Sequence, residues 1–184
     1  MKSFSKSFST PEPDEGIRQR LRDLCVPDGW RATVNQSGNR FYWYRLRSAE
    51  GLLEAAEALS ELGARLCTIS AYDPLRESGH PCHEIAYHFD VAGSVLTVTA
   101  PLAEGKLEVP SVSGYFRNAD WAEREFREMY SIRVVGLRNE KSLFLDESID
   151  PGIMNRVVPV SVLMNGASSV GLWERILSER SGEV

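Results

Sequence analysis

Glu84-Ile85-Ala86-Tyr87-His88-Phe89-Asp90-Val91-Ala92-Gly93-Ser94-Val95-Leu96-Thr97-Val98-Thr99-Ala100-Pro101-Leu102 is the stretch on which the fold turns. β-Branched and aromatic residues crowd 84–91 and 94–102, and Ala92-Gly93 between them reads as a tight two-residue turn, so the stretch predicts two strands joined as a hairpin. Just upstream, Ala64 to Tyr72 reads as a further strand. Before it, Ser48 is a candidate N-cap for a helix carrying Leu52, Ala55, Ala56, Leu59 and Leu62, with Gly63 as its C′ residue. Trp30 to Asn35 and Phe41 to Arg47 flank the turn chemistry of Asn35-Gln36-Ser37-Gly38-Asn39 and predict a second hairpin. Its second strand alternates Phe41, Trp43 and Arg45 with Tyr42, Tyr44 and Leu46, so both faces carry large side chains, and packing against flanking helices accounts for them. At the front, Asp14 or Glu15 leads into a helix with Ile17, Leu21 and Leu24 on one face, ended by Pro27-Asp28-Gly29. Met1 to Pro13 lacks periodicity and reads as a flexible arm. The pattern predicts an α+β fold over residues 14–136: a single domain with a mixed, largely antiparallel sheet packed by helices, and not a doubly wound sheet.

A chain of 184 residues with 42% apolar content holds one core, not two. Twenty-one basic against 26 acidic residues give a net charge of −5, which offers no electrostatic footprint for nucleic acid or an anionic membrane surface. No apolar run approaches the roughly 18 residues of a spanning helix and the first ten residues lack a signal-peptide core, so a cytoplasmic chain is expected. Cys25, Cys67 and Cys82 are widely spaced and odd in number, which indicates reduced thiols and neither a disulfide framework nor a zinc site.

The most charged helix signal is Asn118-Ala119-Asp120-Trp121-Ala122-Glu123-Arg124-Glu125-Phe126-Arg127-Glu128-Met129-Tyr130. Asp120 with Glu123 three residues on reads as a capping box, which starts the helix near Trp121. Ala122, Phe126, Met129 and Tyr130 form one apolar stripe, while Asp120 to Arg124 and Glu123 to Arg127 are four-apart pairs in the favourable order. A solvated amphipathic helix packed on the sheet accounts for all of these spacings.

The string itself carries more. Asn118-Ala119-Asp120-Trp121, Glu123-Arg124-Glu125 and Glu128-Met129-Tyr130, with Lys141, Leu143 and Phe144 behind them, resemble the signature of the 30-kDa subunit of the respiratory NADH dehydrogenase called complex I. Relatives of that subunit also occur in energy-converting hydrogenases and formate hydrogenlyases. Ile69 to Asp73, His83 to Phe89 and Val109-Pro110-Ser111-Val112 look like the family's weaker landmarks, so the resemblance covers roughly residues 45 to 145. Leu137 stands where the family usually has His or Lys, and Leu137-Arg138-Asn139-Glu140-Lys141 replaces its His-Pro-Asp-Leu-Arg-Arg run. This departure points to a divergent branch with a different partner surface.

Independent chemistry is sparse. His80, Cys82, His83 and His88 are the one metal-like group, and without a second spaced pair of ligands, loop and strand residues are the better reading. No glycine-rich nucleotide loop is present, and three cysteines cannot hold an ordinary iron–sulfur cluster. The expectation is therefore no catalytic, cofactor or metal site in this chain.

The resemblance implies a non-catalytic docking subunit of a membrane-bound, ion-pumping oxidoreductase. Its partners would be the large subunit, of quinone-site or nickel–iron hydrogenase type, and the iron–sulfur subunits. Those partners would carry the clusters and any nickel–iron centre, with indirect attachment to the cytoplasmic side of the membrane. Trp121, Glu123, Arg124, Glu125, Glu128, Tyr130 and Lys141 are the candidate interface, Arg124 for its planar multi-donor fork and Glu125 for its place beside the apolar stripe. The competing readings are a free-standing hydrolase or metal enzyme built on His80 to His88, and a transient assembly factor. Residues 137–184, with Val157, Val158, Val160, Val162, Leu163 and Met164 around Pro159, read as an extended tail, either folded back across this chain's own sheet or, as the resemblance implies, laid on a partner.

Overall fold

The computed structural model describes residues 15–72, 83–103, 105–145 and 151–155. The chain divides into two units, Met1–Ile153 and Met154–Val184, and the elements below belong to the first. In order they are α1 (Glu15–Arg22), β1 (Cys25–Val34), β2 (Arg40–Leu46), a 3-10 turn (Ala49–Gly51), α2 (Leu52–Glu61), β3 (Arg65–Tyr72), β4 (Glu84–Val91), β5 (Ser94–Pro101), β6 (Glu108–Pro110), α3 (Ala119–Tyr130) and β7 (Arg133–Val135).

The first five strands form one sheet in the order β1-β2-β5-β4-β3. All neighbours are antiparallel except β2 and β5, which run parallel with Tyr42 opposite Leu96 and Tyr44 opposite Val98. The fold is thus α+β with a mixed, largely antiparallel sheet. The β4–β5 hairpin closes through Ala92 and Gly93 at φ 49° and 79°, the two positive values that a type I′ turn requires, and the Gly93 N–H donates to the Asp90 carboxylate at 3.0 Å. The turn between β1 and β2 is held by the Asn35 side chain, which accepts from the N–H groups of Ser37 and Asn39.

Period-two alternation sends Tyr42, Tyr44 and Leu46, Leu96, Val98 and Ala100, and Ile85, Tyr87 and Phe89 to one face. These residues are buried in a single core with Leu52, Ala55, Ala56 and Leu59 of α2, Ile17 and Leu21 of α1, and Phe126 of α3. On the opposite face Phe41 stacks on Trp43 at 6.1 Å, and the Arg31 guanidinium lies 4.6 Å from the Trp43 ring. α2 ends as its sequence predicts: Gly63 takes φ 70°, and the N–H groups of Gly63 and Ala64 return to Ser60 and Leu59.

Local spacing misleads at two places. Pro27-Asp28-Gly29 does not terminate α1, which stops at Arg22; it lies inside β1 as an outward loop, because β1 meets β2 at Cys25↔Leu46 and next at Trp30↔Tyr44. The small parallel pair β6–β7, joined through α3, has strands too short for alternation to register in the sequence. Its Val109 and Val134 complete the core beneath α3.

Candidate functional site

α3 begins at Ala119, not near Trp121, and no side-chain cap closes its first turn. Asn118, where a capping side chain would sit, sends its amide instead to the Leu66 carbonyl on β3, 2.9 Å away. The capping box is not formed either, because Glu123 turns inward and is 0% exposed. Its carboxylate accepts the Val112 N–H at 2.6 Å and the Ser111 hydroxyl at 2.6 Å, and Ser111 Oγ lies 2.7 Å from Ser113 Oγ. Burial raises the Glu123 pKa, opposed by these two hydrogen bonds. Burial, with Glu123 adding to it, also pushes the neighbouring Tyr87 phenol far up, so Tyr87 remains a neutral hydroxyl beside the carboxylate. Of the two predicted ion pairs, Asp120–Arg124 forms at 3.9 Å. Arg127 donates to the Glu140 carbonyl at 2.6 Å, since Glu123 is engaged inside the domain.

The next turns of α3 bind the chain that follows β7. Arg124 Nε and Nη2 donate to the carbonyls of Lys141 and Ser142 at 3.0 and 2.9 Å, a fork closing on two successive peptides. The Glu128 carboxylate, 4% exposed, accepts the N–H of Leu143 and those of Phe144 and Leu145 at 2.9 and 3.2 Å. Burial alone would raise its pKa; the three N–H groups and Arg124 outweigh burial and hold it below the ordinary carboxylate value. Cation to carbonyl and anion to amide are each the favourable sense of a charge-assisted hydrogen bond. Together the three side chains fix the backbone of 140–145 without using any side chain of that segment.

Those segment side chains are therefore left for other work. Phe144 is 56% exposed and meets Trp121, 58% exposed, edge to face at 5.9 Å and 81°. Glu125 and Lys141 are exposed as well. Tyr130, at the other end of the helix, packs edge-on against buried His83 at 5.5 Å. Of the seven interface candidates, then, Glu123, Arg124 and Glu128 are spent within the domain and Tyr130 faces inward, while Trp121, Glu125 and the Lys141 side chain face out. Phe144 belongs to the family signature but not to the predicted interface, because spacing gives no sign that Glu128 holds its backbone.

Leu137 is buried in the core and 140–145 is bound by α3, so the described start of the predicted tail packs on the domain. Residues 156–184, with the apolar cluster around Pro159, lie outside the described residues, as do His80, Cys82 and the N-terminal arm. His88 Nδ1 lies 2.9 Å from Thr97 Oγ1, and burial lowers its pKa. Among the described residues no three His, Cys, Asp or Glu side chains are grouped as a metal site, and no helix is long and apolar enough to cross a membrane.

Residues 47–159, more than half of the chain, match the family model described as the respiratory-chain NADH dehydrogenase 30 Kd subunit. The chain belongs to this family. The match takes in both α3 and the segment that it clamps. The C/D subunit of NADH-quinone oxidoreductase from Erwinia tasmaniensis is 29% identical over 133 residues, which cover 67% of this chain and 22% of that protein. The J subunit of NAD(P)H-quinone oxidoreductase from a Synechococcus strain is 46% identical over 44 residues, covering 24% of this chain and 23% of the relative. The matched residues thus span under a quarter of the length of these relatives. Among solved structures, a chain of the membrane-bound sulfane sulfur reductase, an archaeal respiratory membrane complex, shares the fold with a TM-score of 0.55 at 18% identity, over 73% of this chain and 77% of the other.

Proposed function

We propose that the chain is a non-catalytic docking subunit of a membrane-bound, ion-pumping oxidoreductase of the complex I or energy-converting nickel–iron hydrogenase kind. It seats on the large catalytic subunit, with the iron–sulfur subunits nearby, peripherally on the cytoplasmic side of the membrane and without a cofactor of its own. The observation that carries this reading is how the charged motif is used. Glu128, Arg124 and Arg127 hold a backbone segment in one geometry, and the product is an exposed aromatic pair, Trp121 with Phe144. A large ring held rigidly at the surface loses little conformational entropy on binding, and such aromatics dominate the affinity of interfaces. Family membership supports the same role.

The test is reconstitution with the large subunit of the same complex. Trp121→Ala combined with Phe144→Ala should weaken association by about thirtyfold or more, as for central interface aromatics, with the thermal melt of the free chain little changed because both rings are more than half exposed. Wild-type affinity in the double variant would refute the assignment.

A further inference from the structure

The outward loop of β1 has a counterpart that the docking role does not use. Between Cys25 and Trp30 the strand leaves its ladder, and this loop, α1 and the end of β2 enclose a cavity of about 490 Å³. Arg18, Arg22, Arg47, Trp30 and Tyr44 are among the residues that line it. Tyr44 is 2% exposed, and its hydroxyl has no hydrogen-bond partner among the described residues. A buried hydroxyl left unsatisfied costs free energy, and native structures seldom keep one without a reason. Burial pushes the phenol up to about 12, so it is a donor at any physiological pH.

The loop is built to stay open. Asp28 adopts φ 57°, and a Cβ on Gly29 would stand 2.4 Å from Val26 Cγ2 and 2.9 Å from the Val26 carbonyl, so only glycine fits. Arg47 Nε ties the loop's start through the Cys25 carbonyl at 2.7 Å. Arg18 lies over the Trp30 ring at 4.4 Å, which orients both.

We propose that this cavity binds a small oxyanion of the phosphate monoester class. Three arginines line it against two aspartates, Asp23 and Asp28, both exposed. The net charge of the lining therefore favours an anion. A tetrahedral phosphate presents enough oxygens to accept from Tyr44 and from more than one arginine together, where a carboxylate offers two. Its volume is that of a small-molecule site. The same headgroup chemistry occurs on a soluble ester and on phosphatidic acid, and two probes separate them.

The full chain is titrated calorimetrically with glycerol 3-phosphate, and separately sedimented with phosphatidylcholine vesicles with and without phosphatidic acid. Each arm is repeated with Tyr44→Phe and Arg22→Gln. Tyr44→Phe removes one oxygen that has no partner among the described residues, so its melting temperature should equal or exceed wild type while affinity falls about tenfold. Arg22→Gln should weaken binding severalfold. Saturable binding of the soluble ester with these losses identifies a soluble ligand; binding to the phosphatidic acid vesicles alone, with the same losses, identifies a lipid headgroup. Absence of binding in both arms, affinities unchanged in both variants, or a marked fall in the melting temperature of Tyr44→Phe would each overturn the proposal.

Discussion

Replacing Glu128 with glutamine isolates what the charged helix does. In the native chain one carboxylate oxygen accepts the Leu143 N–H and the other accepts those of Phe144 and Leu145. Glutamine keeps one acceptor oxygen and presents an NH₂ group to the remaining donor, so at least one hydrogen bond is lost and the others lose their charge. Bonds to a charged acceptor contribute roughly 1.5–3 kcal/mol each, which makes about 2 kcal/mol a minimal loss for the segment. That corresponds to about thirtyfold faster amide exchange at residues 143–145. The whole domain should be far less affected, because the released segment hydrates its own amides, and the melt should move by under about 1 kcal/mol. Hydrogen exchange resolved to single amides is the assay. Unchanged protection at 143–145 would refute the clamp, and an equal loss of protection in β4 and β5 would mean that Glu128 supports the core instead.

The pH dependence follows with opposite signs for the two buried acids. Glu128 titrates below its ordinary value of 4.5, so its contribution is complete above that pH and is lost as pH falls through its folded pKa; protection at 143–145 should fall in acid, and Glu128→Gln should abolish that dependence. Glu123 titrates above 4.5, so keeping it ionised costs stability that appears as pH rises through the carboxylate range. Glu123→Ala strips the acceptor from Val112 and Ser111 inside the core and should lower domain stability by about 2–4 kcal/mol in a thermal melt. Arg124→Glu places a carboxylate against the carbonyls of Lys141 and Ser142, so it should lose large-subunit binding and protection at 141–145 together. Lost binding with full protection would instead put the Arg124 guanidinium itself in the interface.

The β-branched and aromatic runs on either side of Ala92-Gly93 made the hairpin from Glu84 readable, and β4 and β5 start where they predict, because strand propensity and turn chemistry are both local. The capping of α2 by Gly63 is equally local. The charged helix is different. Asp120 and Glu123 have capping-box spacing, yet Glu123 finds its partners at Ser111 and Val112, and Glu128 finds its own at Leu143 to Leu145. Spacing within a helix says which charges share a face and cannot show a loop that returns from outside it. The resemblance to the 30-kDa subunit family drew attention to this helix, whereas the inward direction of Glu123 and Glu128 was visible only once the fold was in place. Pro27-Asp28-Gly29 misled for a related reason: turn chemistry marks a break in periodicity equally well at a helix end and in the loop of a strand.

The docking role is tested most directly at Trp121. Hydroxyl-radical labelling followed by peptide mass spectrometry should oxidise Trp121 and Phe144 readily in the free chain, where both are more than half exposed. In the assembled complex they should become strongly protected, while Trp30, on the edge strand β1, should label equally in both. Equal labelling of Trp121 and Phe144 in the free chain and in the complex would contradict the assignment of this face to the partner.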